Sequence, residues 1–170
     1  MIDFAAIRTA IVSGLSQYLG VPVVMLEQKH PKPPYPFVGY KFTSPFIPER
    51  GQPAETMQNV PSSDPNFEYD VEVTQKQQPT MVLSVTAYSD DSDACHDLAL
   101  NAHSWFDLIG YEELRSSGII VVRSGNIQNR DTLIVGDYER RQGFDVSLRV
   151  SGDLKLVLPT IEKVEITKAQ

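Results

Sequence analysis

Only one cysteine, Cys95, occurs in the 170 residues. No disulfide can therefore staple the fold, no thiolate cluster can hold zinc, and a reduced intracellular setting is the expectation. Long apolar runs are missing too. No stretch approaches the roughly 18 apolar residues of a membrane span, and the start Met1-Ile2-Asp3-Phe4 lacks the basic opening of a secretory leader. A soluble chain without a membrane partner is expected. Positive charge is in short supply, with 15 Lys and Arg against 22 Asp and Glu and a net charge of −7. That balance argues against a surface that grips nucleic-acid phosphates.

Catalytic signatures are also wanting. The chain has no Gly-rich phosphate loop, no Gly-x-Ser-x-Gly elbow and no His-Glu-x-x-His helix. Cys95 falls on the apolar stripe of a predicted helix, where a thiol is buried and inert. The reading is a non-enzymatic protein with no catalytic residues, no cofactor and no resident metal.

What is present is a pattern of helices and strands on the scale of one compact domain. Phe4, Ile7, Ile11, Leu15 and Tyr18 recur at spacings of three and four, predicting a helix capped by Asp3 and ended by Gly20 and Pro22. Cys95, Leu98, Ala102, Trp105, Phe106 and Ile109 predict a second helix over 92–109, with Gly110 as its terminator. Strands are predicted at 23–27, 35–42, 67–74, 81–88, 119–123, 133–139, 141–150, 154–158 and 161–166, with turns at 124–126 and 151–153. Met81–Tyr88 carries apolar residues on both faces, Met81, Leu83, Val85 and Ala87 on one and Val82 and Tyr88 on the other, and reads as a central strand. The βαβ alternation of doubly wound folds is absent. The fold class is therefore α+β, a mostly antiparallel β-sheet with two helices packed on one face, in a single domain spanning 1–170. Between about residues 46 and 66 four prolines and a lack of periodicity predict a long Pro-rich loop or arm.

Three clusters have chemical potential. Asp90, Asp91 and Asp93, followed by His96, form the densest set of possible metal ligands. A calcium loop needs more oxygen ligands and a glycine at its turn, so capping of the second helix is the favoured role. The alternative is a small-ligand or divalent-metal-binding module using that cluster. His96 and His103 lie two helical turns apart, about 10 Å, too far to share one zinc. Glu68, Asp70 and Glu72 alternate with Phe67, Tyr69, Val71 and Val73, placing the acids on one wet strand face. Carboxylate catalysis is possible in principle at such spacing, but the preferred role is a row of negative charge facing a passage or partner. Arg140 and Arg141 form the core of the one basic concentration. Arg141 and Arg149 share a strand face with Asp145, which suggests salt links within the chain or across a subunit contact.

Asn129-Arg130-Asp131-Thr132-Leu133, then Tyr138-Glu139-Arg140-Arg141-Gln142-Gly143-Phe144-Asp145-Val146, resembles the phage neck or tail terminator family. So do Tyr88-Ser89-Asp90-Asp91 leading into the Trp-containing helix, and the N-terminal helix followed by a Pro, Tyr and Phe strand. The family occurs in tailed phages, prophages and phage-tail-like particles. The resemblance implies a virion structural protein, assembled in the host bacterial cytoplasm, whose homo-oligomeric ring, expected to be a hexamer, caps the tail tube. Such a ring ends tube polymerisation and offers a head or neck docking surface. The implied partners are tail tube protein and a head-completion or neck protein, with sheath protein as a further candidate. DNA would pass through the lumen without specific binding. On this reading Phe46, Met57, Arg140 and Arg141 are the subunit or tube interface candidates, and Glu68, Asp70 and Glu72 would face the lumen.

Overall fold

The computed structural model describes residues 1–29, 31–134 and 137–159. Contacts group them into two compact units, one of Ile2–Glu49 and Gln78–Ser151, the other of Met1, Arg50–Gln77 and the residues from Gly152 on.

The first unit opens with helix α1, Phe4–Leu19. Asp3 caps it by accepting the Ala5 and Ala6 N–H groups, and Gly20 closes it in the left-handed conformation, φ 67°, donating to the Ser16 carbonyl. Ile7, Ile11 and Leu15 are buried as their spacing predicts, and Phe4 and Tyr18 at the ends stay partly exposed. Strand β1 (Val23–Met25) pairs in parallel with β2 (Phe37–Ile47), which pairs with β5 (Thr80–Ser89). After β5 come α2 (Ser92–Ser104), a π-helical turn (Trp105–Ile109) and α3 (Tyr111–Ser116). Strand β6 (Ile119–Ser124), the short β7 (Gln128–Asn129) and β8 (Thr132–Ile134), and β9 (Asp137–Val150) complete this unit. The main sheet order is β1-β2-β5-β9-β6, and all its pairings except β1–β2 are antiparallel.

β5 is central, as its two-sided apolar pattern predicts. Met81, Leu83, Val85 and Ala87 point with Phe144, Val146, Leu148 and Val150 into one buried cluster with Ile11, Leu15, Cys95, Trp105 and Phe106 from the helices. The α+β expectation, with helices on one sheet face, holds. Several details differ. A third helix, α3, follows Gly110, because Tyr111-Glu112-Glu113-Leu114 buries Leu114 within one short helical turn. In the π turn the Gly110 N–H reaches back five residues to the Trp105 carbonyl, 2.8 Å. This wider turn buries the adjacent Trp105 and Phe106 together and leaves Ile109 exposed, against the regular stripe. The predicted strand 133–139 is divided between two antiparallel strands, β8 and the start of β9, with Leu133 opposite Tyr138.

The second unit is a three-stranded antiparallel sheet of β3 (Ala54–Pro61), β4 (Tyr69–Gln77) and β10 (Gly152–Pro159), in the order β10-β4-β3. Here the segment predicted as loop is in large part a strand. Its side chains lack a two-residue period because neither face is deeply buried; the backbone ladder to β4, from Ala54 opposite Lys76 to Pro61 opposite Tyr69, supplies the order. The turn predicted at 151–153 is also displaced: Gly152 and Asp153 already belong to β10, which pairs with β4 rather than returning on β9. The strand predicted at 161–166 lies outside the described residues.

Candidate functional site

The residues with chemical interest gather on the sheet face opposite the helices. Alternation in β5 and β9 puts Ser84, Thr86 and Tyr88 there, in register with Asp145, Gly143 and Arg141. β2 adds Lys41, Gly39 and Phe37 to the same three rows. A Cβ at Gly143 would lie 2.7 Å from both the Arg130 guanidinium and the Thr86 hydroxyl and 2.8 Å from the Val85 carbonyl. The bare glycine thus leaves the place in which Arg130 lies over the strands.

Arg130 donates to Ser84 Oγ at 2.8 Å, Thr86 Oγ1 at 3.0 Å and Asp145 Oδ1 at 3.1 Å. Its neighbour Asp131 accepts the Arg141 backbone N–H at 2.7 Å and a side-chain bond from Arg140 at 3.4 Å. Burial pushes the Asp131 carboxyl up, but hydrogen bonds from Arg141, Asn129 and Arg140 outweigh it and hold the group below its usual range. The Asn129–Asp131 segment is thereby pinned across β9. Gly39 makes a second clearance, since a Cβ there would sit 2.3 Å from the Leu26 side chain.

Beside this network the Glu139 carboxylate is almost fully buried, with Lys32, Tyr35 and Arg141 all donating to it; the Arg141 Nε bond is 2.5 Å. A buried charge needs such partners, because desolvation alone would cost several kcal/mol. The Tyr35, Phe37 and Tyr88 rings stack in sequence, with centroids 5.9 and 4.6 Å apart, and Arg141 lies over Tyr88. Val24, Leu26, Phe37, Tyr88, Ile134 and Glu139 are among the residues around an open cleft of about 560 Å³. Its charged groups already have partners within the chain.

The acidic cluster opens α2 as predicted. Asp91 accepts the Ala94 N–H at 2.8 Å, Asp93 sits in the first turn, and His96 Nδ1 pairs with the Ser92 carbonyl. Asp90 is joined to the Ser89 hydroxyl. Among the described residues no group of three or more His, Cys, Asp or Glu is arranged to hold a metal ion. His103 is apart from His96, bonded to the Gly125 carbonyl and Asp107. Burial raises the Cys95 thiol above its ordinary pKa.

The three acids of the second unit do not act alike. Glu68 is exposed and precedes β4. Asp70 is buried and accepts from Ser62 Oγ and the Ser63 N–H. Glu72 accepts from Lys155 Nζ at 3.0 Å and Gln58 Nε2 at 2.7 Å; Lys155 first, then Gln58, lowers its pKa. Phe46 is exposed on β2 and Met57 on β3, whereas Arg140 and Arg141 are half-buried in ion pairs with Asp131 and Glu139. Phe46, Arg140 and Arg141 belong to one unit and Met57 to the other. Lys32, Tyr35 and Glu139 have roles that sequence reasoning missed. Ser84 and Thr86, two polar residues on an otherwise apolar central strand, are the signal for the face that receives Arg130.

The charged side chains on this face pair with one another within the chain, and Gly143 admits the Arg130 guanidinium among them. Residues 9–170 match the family model of phage neck terminator protein, and the chain belongs to that family. It is accordingly a structural protein of the phage neck, which interacts with other head or tail proteins of the particle. A search among curated proteins returns no match. No helix among the described residues is long and apolar enough to cross a membrane.

Proposed function

We propose that this protein closes into a six-membered ring on the head-proximal end of the tail tube, ends tube polymerisation there and presents a docking surface to the head. The match to the neck terminator family over residues 9–170 carries this reading. A polar network that rigidifies the motif residues, with no partner chemistry left open in it, supports action through shape and not through turnover. Cyclic closure needs two unlike surface patches on every subunit. Tube protein and a head-completion protein would occupy the two ends of the ring, sheath protein its rim in a contractile particle, and assembly would take place in the host cytoplasm.

The net charge of −7 supports a passage that DNA crosses without adhering. Of the three acids assigned to the lumen, Glu68 is the one whose exposure suits that role. Asp70 and Glu72 work inside their sheet. Reversal of Glu68 to Lys should leave folding intact and slow genome ejection; unchanged ejection would remove the lumen assignment. The ring itself is tested by the light-scattering mass of the protein alone and mixed with tube subunit. A mass at six subunits, or annular particles at tube ends in negative stain, is expected; a monomer in both conditions contradicts it.

A further inference from the structure

The three-stranded sheet groups most of its apolar side chains on one face. Register places Met57, Val73 and Leu156 side by side, with Val71 and Leu158 in the row before and Leu154 in the row after. These six residues form an apolar patch on a face that also carries Asn59 beside Val71 and the bonded pair Glu55 and Gln75 beside Leu154. None belongs to the buried core, and Met57 and Leu156 are 70% and 58% exposed. The opposite face carries Glu72, which accepts from both Gln58 and Lys155, with Val157 opposite it in register. A three-stranded sheet gains independent stability by covering an apolar face, and exposed patches of this kind mark interaction sites.

We infer that the apolar face of β3-β4-β10 is one half of the subunit contact, and that its occupant is a second copy of this chain. This inference rests on the ring proposed above. Leu100 on α2, Leu108 and Ile109 in the π turn and Tyr111 at the start of α3 are also exposed, and Leu108 is 77% exposed; we take these as the other, unlike half of the contact. One chain thus offers a sheet face and a helix surface, the two layers that pack together most readily. Their difference is what head-to-tail closure requires, since a face that met its own copy would stop at a dimer.

Size and charge fit the same occupant. Strands of eight, nine and eight residues present a face on the order of 400 Å², about 27 Å by 14 Å. That is roughly half of the ~800 Å² per partner of a standard stable interface. A single contact is therefore weak, and closure, which gives every subunit two of them, makes assembly concentration-dependent and cooperative. The face presents no Lys or Arg, which disfavours nucleic acid or an anionic membrane as its cover.

Sedimentation of the full chain over a concentration series, alone and with tube subunit, tests this with Leu156→Glu and Leu108→Glu. Each substitution should raise the concentration needed for assembly at least tenfold. The fluorescence of Trp105, the single tryptophan, buried in the other unit's core, should stay unchanged as a control for folding. Mixing Leu156→Cys with Leu108→Cys under mild oxidation should give disulfide-linked dimers that neither gives alone; Cys95 is buried and stays out of the reaction. A ring that Leu156→Glu leaves intact overturns the sheet-face contact while the ring stands. If that ring no longer holds the tube, the tube protein is the occupant, and the inference falls in the same way. Self-linking of Leu156→Cys replaces head-to-tail closure by a twofold pair. A wild-type chain that stays monomeric at every concentration and with tube subunit overturns the ring and the partner together.

Discussion

Arg130 keeps its place because residue 143 has no side chain, and this pairing is open to direct measurement. Gly143→Ala puts a methyl group 2.7 Å from the guanidinium and 2.8 Å from the Val85 carbonyl, and the backbone atom cannot step aside. A loss of about 1–3 kcal/mol in urea unfolding is expected; a change under about 0.5 kcal/mol, the range of ordinary surface substitutions, would show that Arg130 moves away at little cost. Asp131 makes a prediction in pH. Its folded pKa lies below the ordinary value, so its stabilisation is fully present above the unfolded pKa of about 3.9 and is lost as pH falls through the folded one. Asp131→Asn should destabilise by roughly 1–2 kcal/mol at neutral pH. The gap in melting temperature from wild type should be steady from pH 7 to about 5 and begin to narrow below about 4. A gap that does not narrow at all as pH falls below about 4 would contradict this assignment. The motif residues were legible in the sequence as a cluster, but their partners were not: Arg130 meets Ser84 and Thr86 across more than 40 positions of chain, a pairing set by strand register.

Elements with a strong period were the readable part. α1 and α2 carry buried residues at helical spacing with caps at both ends of α1, and β5 shows its centrality by carrying apolar residues on both faces, Val82 and Tyr88 as well as Met81, Leu83, Val85 and Ala87. β3 was not readable, because its pattern is imposed by β4 and not by a buried face of its own. The π turn escaped for a different reason. Gly110 would place a Cβ 2.3 Å from the Trp105 ring, so its bareness serves ring packing as well as helix termination. Trp105 is 1% exposed and meets Phe106 edge-on at 4.9 Å. Trp105→Ala should cost about 3–5 kcal/mol in chemical denaturation; under about 1 kcal/mol would mean that the π turn relaxes to fill the cavity. Gly110→Ala should loosen the same packing with a smaller loss.

On the scale of the whole molecule, the larger unit holds the hydrophobic core and the smaller one shows an apolar sheet face to its surroundings. The family membership identifies the setting as the phage neck. The sequence motifs led there without revealing the sheet face, since Met57 and Leu156 lie about a hundred residues apart and meet only through β4. The most direct measurement is tube growth in vitro, with tube subunit polymerised in the presence and absence of this protein and the products imaged. Tubes of limited length with an annulus at one end are predicted; tubes that elongate unchanged and carry bare ends would contradict the account.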